Sequence, residues 1–351
     1  MSEIAQPPFV SIVMPIRNEQ NAIRRVLDCL LAQDYPRNRM EIIVADGMST
    51  DNTRQIVSQA AAVDPRLRLT DNPSRIMASG FNRGLSACHG DVIIMMGGHT
   101  ELAADYVRTC CSLLQEGVAD CVGGPIHTVC ETDRAEAISL AMSSRFGVGG
   151  VAFRVGCRIR KYVDTVAFGA YTRDIIDRIG RLDEEFVRAQ DDEFNYRLRK
   201  LGGKILIAPE IRSRYTSRSS IRSLGLQYFQ YGYWKVRVLQ KHPRQMQLRQ
   251  FVPAAFVCAL LLSLMMVGIH PAIGKGAFLS LATIYLLAIA VVSISLLWRQ
   301  GKWWLAPSLA ISFPVLHLSY GTGFLVGLAK FWKRWRGPRE IEVLTSPTSL
   351  G

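Results

Sequence analysis

The sequence lacks the cysteine spacing of a metal or disulfide framework. Its eight cysteines form no C-x-x-C pair and no regular interval, so free thiols of a reducing compartment are expected. No G-x-G-x-x-G follows the first apolar run and no G-x-x-x-x-G-K-[ST] occurs anywhere, which disfavours dinucleotide and P-loop readings. Gly147-Val148-Gly149-Gly150 follows no clear strand and reads as a flexible loop. Residues 1–8 lack the basic start and apolar run of a signal peptide. They read as a disordered N-terminus, with the domain after them on the cytoplasmic side. Acidic residues are scarce where basic ones abound: 13 Lys and Arg lie between Arg197 and Arg249 against Glu210 alone, almost the whole of the net +13. No nucleic-acid motif accompanies this patch, and phospholipid or a pyrophosphate-bearing substrate suits it better.

Charge is absent from Phe251 to Ile269 and from Gly276 to Trp298, each long enough to span a bilayer at ~20 residues. Spans are expected at about 251–271 and 276–298 within a membrane region of 251–331. Trp303 to Ala329 is also uncharged but interrupted by Pro307, Pro314, His317, Gly321, Gly323 and Gly327. As a third span it would export Lys330, Lys333, Arg334 and Arg336, against the positive-inside rule. A re-entrant or interfacial hairpin is slightly preferred over a span that breaks the rule. Residues 337–351 read as a disordered tail.

The rest of the 351 residues can bury a sizeable core. Phe9 to Met14, Glu41 to Ala45, Leu67 to Thr70 and Asp91 to Met96 are short apolar runs. Helical patterns separate them at about residues 22–31, 51–62 and 74–88. This alternation predicts an α/β fold, a mostly parallel sheet with helices on both faces, whose ligand binds at the carboxyl ends of the strands. The polar residues there are Arg17-Asn18-Glu19 and Asp46 to Thr53. A turn plus capped helix accounts for Ser49, Asp51 and Thr53, and less well for Asp46.

Further along stands Gln190-Asp191-Asp192-Glu193-Phe194. Asp191, Phe194, Leu198 and Leu201 share one helical stripe, which places a carboxylate in the first turn of the face a helix should bury. It is either a helix cap or a general base facing a cleft.

These residues carry a resemblance. Val10 to Pro15, Asn18-Glu19, Asp46-Gly47-x-Ser49-x-Asp51-x-Thr53 and Asn82-x-Gly84 resemble the nucleotide-sugar half of the family-2 inverting glycosyltransferases. Phe168-Gly169-Ala170, Leu182-Asp183-Glu184, Gln190 to Arg197 and Gln227-x-x-x-Tyr231-Gly232-x-Trp234-Lys235 resemble their acceptor half. The resemblance spans about residues 8–245 and is nearest to membrane-bound exopolysaccharide enzymes, notably the succinoglycan glucosyltransferases. It implies a Rossmann-like GT-A domain over 9–245, with donor and acceptor halves at 9–100 and 101–245.

It also implies transfer of a hexose from a nucleotide sugar, usually a UDP-sugar, to a lipid-linked acceptor at the bacterial cytoplasmic membrane. Asp191 matches the general base. Pro15, Asn18, Glu19, Asp46, Ser49, Asn82, Gly84, Gly98 and His99 match the donor site. Asp183, Gln190, Gln227, Gln230, Tyr231, Trp234 and Lys235 match the acceptor and diphosphate region. For Tyr228 and Tyr233 a membrane-interface helix explains the aromatics nearly as well. The family's D-x-D-like element departs from its pattern here. Met96-Gly97-Gly98-His99 offers Gly97 where an Asp is expected, leaving His99 as a weak ligand for Mg²⁺ or Mn²⁺. That departure keeps open a catalytically silent nucleotide-sugar-binding subunit.

Overall fold

The computed structural model describes residues 6–216 and 220–335. Its strands are Val10–Ile16 (β1), Met40–Asp46 (β2), Leu67–Asp71 (β3), Val92–Met95 (β4), Thr100–Leu102 (β5), Cys121–Gly124 (β6), Ile126–Val129 (β7), Lys161–Tyr162 (β8), Ala167–Thr172 (β9), Ile205–Ile207 (β10) and Ser213–Thr216 (β11). Its α-helices are Ile23–Leu31 (α1), Thr53–Val63 (α2), Met77–Ala87 (α3), Tyr106–Gln115 (α4), Asp133–Met142 (α5), Arg145–Val148 (α6), Ala152–Val155 (α7), Arg173–Ile179 (α8), Gln190–Lys200 (α9), Ile221–Lys241 (α10), Val252–Ile269 (α11), Pro271–Gln300 (α12) and Ala306–Lys330 (α13).

The large sheet has the order β3-β2-β1-β4-β9-β6-β10-β8. It is parallel from β3 to β4, as βα alternation requires. Beyond β4 it is mixed, because β9 runs antiparallel to both β4 and β6. The expectation of a mostly parallel sheet therefore fits the donor half better than the rest. A small second sheet, β5-β11-β7, sits beside the carboxyl end of β4. Strand period decides which face each residue joins. Val10, Ile12, Met14 and Ile16 of β1 pack into one core with α1 and α4, while Val13 joins Phe81, Ile175 and Phe194 in the other.

Residues 7 and 8 are tied down, contrary to expectation. Their carbonyls accept from Arg39 Nε at 2.9 Å and Tyr35 Oη at 2.6 Å, so the ordered chain starts before Phe9. The other residues expected to be disordered, 1–5 and 337–351, lie outside the described residues. Gly147, expected in a loop, lies inside the short helix α6, where a Cβ would stand 2.1 Å from the Ala141 carbonyl oxygen.

α11, α12 and α13 are all long and apolar enough to cross a membrane. The third apolar segment is one continuous 25-residue helix with Pro314 inside it, not a hairpin. Its glycines allow close contact rather than a break: a Cβ on Gly323 would lie 2.1 Å from the Phe229 carbonyl oxygen of α10.

Gly84 of α3 sits against β1, where an added Cβ would stand 2.2 Å from Val13 Cγ1. Gly84→Ala is expected to destabilise the domain by ~1–3 kcal/mol through overpacking, read as a lowered midpoint of thermal unfolding in detergent.

Candidate active site

The crevice lies at the carboxyl ends of β1 to β4, and its loops are tied to one another. Asn18, with φ +55°, donates its N–H to Ser49 Oγ at 2.9 Å and accepts the Thr50 N–H at 2.9 Å. The Glu19 N–H donates to Thr53 Oγ1 at 2.7 Å. Met48 and Arg75, in the loops after β2 and β3, are also left-handed, as is Ala189 immediately before α9. Left-handed non-glycine residues persist where their surroundings over-determine them, and here four of the five described border the crevice.

Asp46 is fully buried at the end of β2. It accepts from Ser49 Oγ at 2.5 Å and Arg54 Nη1 at 3.2 Å, and Arg54 also pairs with Asp71 at 2.7 Å. Asp46 therefore organises the loop in this state, with Arg54 as a partner that carries no local sequence signal. Pro15 packs on α3, since a Cβ on Gly80 would approach it to 2.7 Å. Asn82 is buried and its amide is engaged: it accepts from Leu182 N at 2.8 Å and donates to Leu182 O at 2.9 Å and Glu184 Oε1 at 2.8 Å. Pro15, Asn82 and Gly84, matched to the donor site, thus hold elements together, and Asn82 fastens the start of the segment 182–190 that leads into α9.

Gly98 lies over Ile16, where a Cβ would stand 2.7 Å from its Cγ2. His99 Nδ1 lies 3.2 Å from Glu19 Oε1, and its ring meets Tyr215 of β11 edge-on at 5.2 Å. Tyr215 comes from the second sheet and is separated from His99 by more than a hundred residues, so no spacing rule points to it. At Gly97 a Cβ would make only ordinary contact, 3.6 Å from the His99 ring. The position has room for a side chain but offers no donor. Among the described residues no group of three His, Cys, Asp or Glu could hold a metal ion. Glu19 and His99 would offer a cation one carboxylate and one imidazole, so its remaining ligands would come from the donor diphosphate and water.

α9 begins with three acids in different circumstances. Asp192 forms an ion pair with Lys235 of α10. Glu193 is buried and takes Arg197 at 2.8 Å and His242 at 3.0 Å. Burial alone would raise its pKa, but the His242 and Arg197 hydrogen bonds outweigh that and hold it below the ordinary value. Asp191 makes no ion pair among the described residues. It is exposed, yet the protein around it raises its pKa by desolvation, and the Asp192 charge adds to this. Exposure together with desolvation describes a carboxylate on the floor of an open cleft. Gln190 beside it is buried; its Nε2 meets Met77 Sδ at 3.0 Å, while Oε1 has no partner.

Several residues matched to the acceptor and diphosphate region are already engaged. Asp183 pairs with Lys241 at 2.5 Å, and Gln230 accepts from Arg188 Nε at 3.0 Å. Trp234 packs against Tyr233 and Phe331, away from Asp191, because α10 turns that face toward α13. Gln227 donates to Tyr231 Oη at 2.8 Å and, with Tyr215 and Arg154, lines a pocket between α5 and α10. Glu185, which the sequence did not single out, accepts from Arg237 at 2.8 Å and Lys241 at 2.8 Å. Burial opposes ionisation there, but these hydrogen bonds and charges bring it to about 2.

Succinoglycan biosynthesis protein ExoA of Rhizobium meliloti is 30% identical over 83% of this chain and 93% of its own length. The chain belongs to glycosyl transferase family 2. Residues 11–180 match that family's sequence pattern, so the protein is a glycosyltransferase. A Methanococcus voltae enzyme, the dolichyl N-acetyl-alpha-D-glucosaminyl phosphate 3-beta-D-2,3-diacetamido-2,3-dideoxy-beta-D-glucuronosyltransferase, is 29% identical over 92% of this chain and 98% of its own. The solved mannosyltransferase PcManGT of Pyrobaculum calidifontis, in complex with GDP-Man and Mn²⁺, superposes over 93% of this chain and 88% of its own. Its TM-score is 0.58 at 17% identity, a likeness of fold.

Lys235 pairs with Asp192 immediately beside Asp191. Lys235→Met is expected to cost about 2 kcal/mol of stability and to slow transfer, because it leaves an unpaired charge beside the cleft. Adding Asp192→Asn should recover most of both losses. A double-mutant cycle of unfolding and transfer rate measures this; additive losses would show that the pair is not coupled.

Proposed function

We propose that this glycosyltransferase is membrane-anchored and inverting, and that it moves a hexose from a UDP-sugar to a lipid-linked saccharide acceptor in exopolysaccharide or cell-surface glycan assembly. One observation carries the reading: of the three acids opening α9, Asp191 alone makes no ion pair among the described residues, and it is the exposed one. A carboxylate in that state can take the proton from an acceptor hydroxyl as its oxygen attacks the anomeric carbon. The new C–O bond forms on the face opposite the departing nucleoside diphosphate, and the configuration inverts. The raised pKa of Asp191 makes it a better proton acceptor than Glu193, whose pKa is held down.

The three apolar helices support membrane anchorage, which in turn favours an acceptor held in the same bilayer. The succinoglycan relative supports a polysaccharide product, and the name of the Methanococcus relative supports an acceptor carried on a lipid phosphate. The absence of a carboxylate at Gly97 favours the competing reading of a silent nucleotide-sugar-binding subunit.

Transfer from labelled UDP-hexoses into the lipid extract of membranes carrying the protein separates the two. Asp191→Asn is expected to lower the rate by ~10²–10⁴, Asp192→Asn far less, and the product should carry the inverted anomeric configuration by NMR. Equal background turnover from the parent and Asp191→Asn would leave the binding-subunit reading standing.

A further inference from the structure

We propose that α13, although long and apolar enough to cross a membrane, lies along the cytoplasmic lipid surface as the floor of the glycosyltransferase domain, leaving α11 and α12 as the crossing pair among the described residues. The proposal rests on membrane anchorage and not on the reaction catalysed.

The two ends of α13 decide it. Twenty-five residues rise about 37 Å, more than the ~30 Å of hydrocarbon, so a crossing helix would put its ends in opposite compartments. Yet both ends are fastened to the same domain. Just before the helix, Lys302 Nζ pairs with Glu136 of α5 at 2.6 Å. Just after it, Arg334 pairs with Glu185 of the segment 182–190, and the Phe331 carbonyl accepts from Gln240 of α10 at 3.0 Å. A domain built on an open sheet cannot straddle hydrocarbon to reach both ends.

Between those ends the domain covers the helix. Leu309, Phe313 and Leu316 pack with Ile138 and Met142 of α5. His317 Nε2 lies 2.9 Å from the Phe146 carbonyl oxygen. Farther along, Gly323 and Gly327 meet the backbone of α10 at Phe229 and Tyr233.

What stays exposed is a stripe through Pro307, Ile311, Leu318, Thr322 and Val326, which spans about 100° around the helix. Exposed Trp303 and Trp304 precede the helix, and exposed Trp332 and Trp335 follow it. Tryptophan settles at headgroup depth, and a helix with both ends at the same headgroup layer lies in its plane. α11 and α12 differ. They touch α13 through Ala254 and Val257 of α11 and through Tyr285, Ile289 and Leu297 of α12, with Tyr285 Oη 2.8 Å from His317 Nδ1, whereas their apolar residues toward the turn at His270 are largely exposed. An out-and-back pair returns the chain to the cytoplasm at Arg299 and Lys302. With α13 in the plane, Lys330, Lys333 and Arg334 stay there, and the conflict with the positive-inside rule disappears.

Two independent readouts on the full-length protein test this. Fluorescent-protein and alkaline-phosphatase reporters at the C-terminus of the unsubstituted chain should be fluorescent and inactive, respectively. Nitroxide labels on Ile311→Cys, Leu318→Cys, Thr322→Cys and Val326→Cys in vesicles, after the four half-exposed native cysteines are replaced by serine, should all report the same shallow depth from oxygen and nickel relaxation. An active phosphatase, or a depth that peaks at bilayer-centre values near Leu318, would overturn the proposal. Recovery of the chain in the soluble fraction would overturn it together with the anchorage on which it rests. Loss of transfer activity alone would count only against the proposed reaction.

Discussion

The ion pair between Lys235 and Asp192 is the contact on which the site depends. Two carboxylates adjacent in one helical turn cannot both be charged in a poorly solvated cleft without mutual cost. By pairing with Asp192 from α10, Lys235 sets a positive charge beside Asp191 that offsets part of the repulsion from its neighbour. The same helix sends Arg237 to Glu185 and Lys241 to Asp183 and Glu185. α10 therefore supplies countercharge to Asp183 and Glu185 ahead of α9, and part of the basic excess that reads in sequence as a patch for phospholipid or pyrophosphate is used inside the protein.

This arrangement links the site to the apolar helices. α10 lies between the segment 182–190 and α13, and Gly232 lets it approach so closely that an added Cβ would stand 2.0 Å from the Tyr320 carbonyl oxygen. Arg334, beyond the end of α13, reaches the same Glu185 that Arg237 and Lys241 hold. Backbone contact on one side and ion pairs on the other allow little independent movement. The apolar helix α13 and the segment leading into α9 are thus joined through α10.

The donor half was legible because its signals are local. Short apolar runs and intervening helical patterns fall where β1 to β4 and α1 to α3 form, and Asp191 was visible as a charge out of place on an apolar stripe. The remainder depended on contacts between distant residues. Asn82 and Gly84 look like ligand positions in a motif, but an amide clamp on Leu182 and a helix–strand contact at Val13 demand the same residue types. Partners such as Arg54 for Asp46 or Tyr215 for His99 have no periodicity to betray them. Trp234 was placed beside the acceptor by its motif, yet a helix has several faces, and only the packing of α13 shows which one it occupies.

The central claim is that Asp191 is held ready at a cost to stability, and not employed as a helix cap. A carboxyl whose folded pKa exceeds its unfolded value of about 3.9 weakens the fold once the pH is above both. The penalty disappears below the lower value, where both states are protonated. The most direct measurement is the difference in unfolding free energy between Asp191→Asn and the parent, in detergent, as a function of pH. The account predicts that Asp191→Asn is the more stable protein at neutral pH, with the two converging as the pH falls through the raised pKa of Asp191 toward its unfolded value. A variant less stable than the parent at neutral pH would identify Asp191 as a cap and contradict the account.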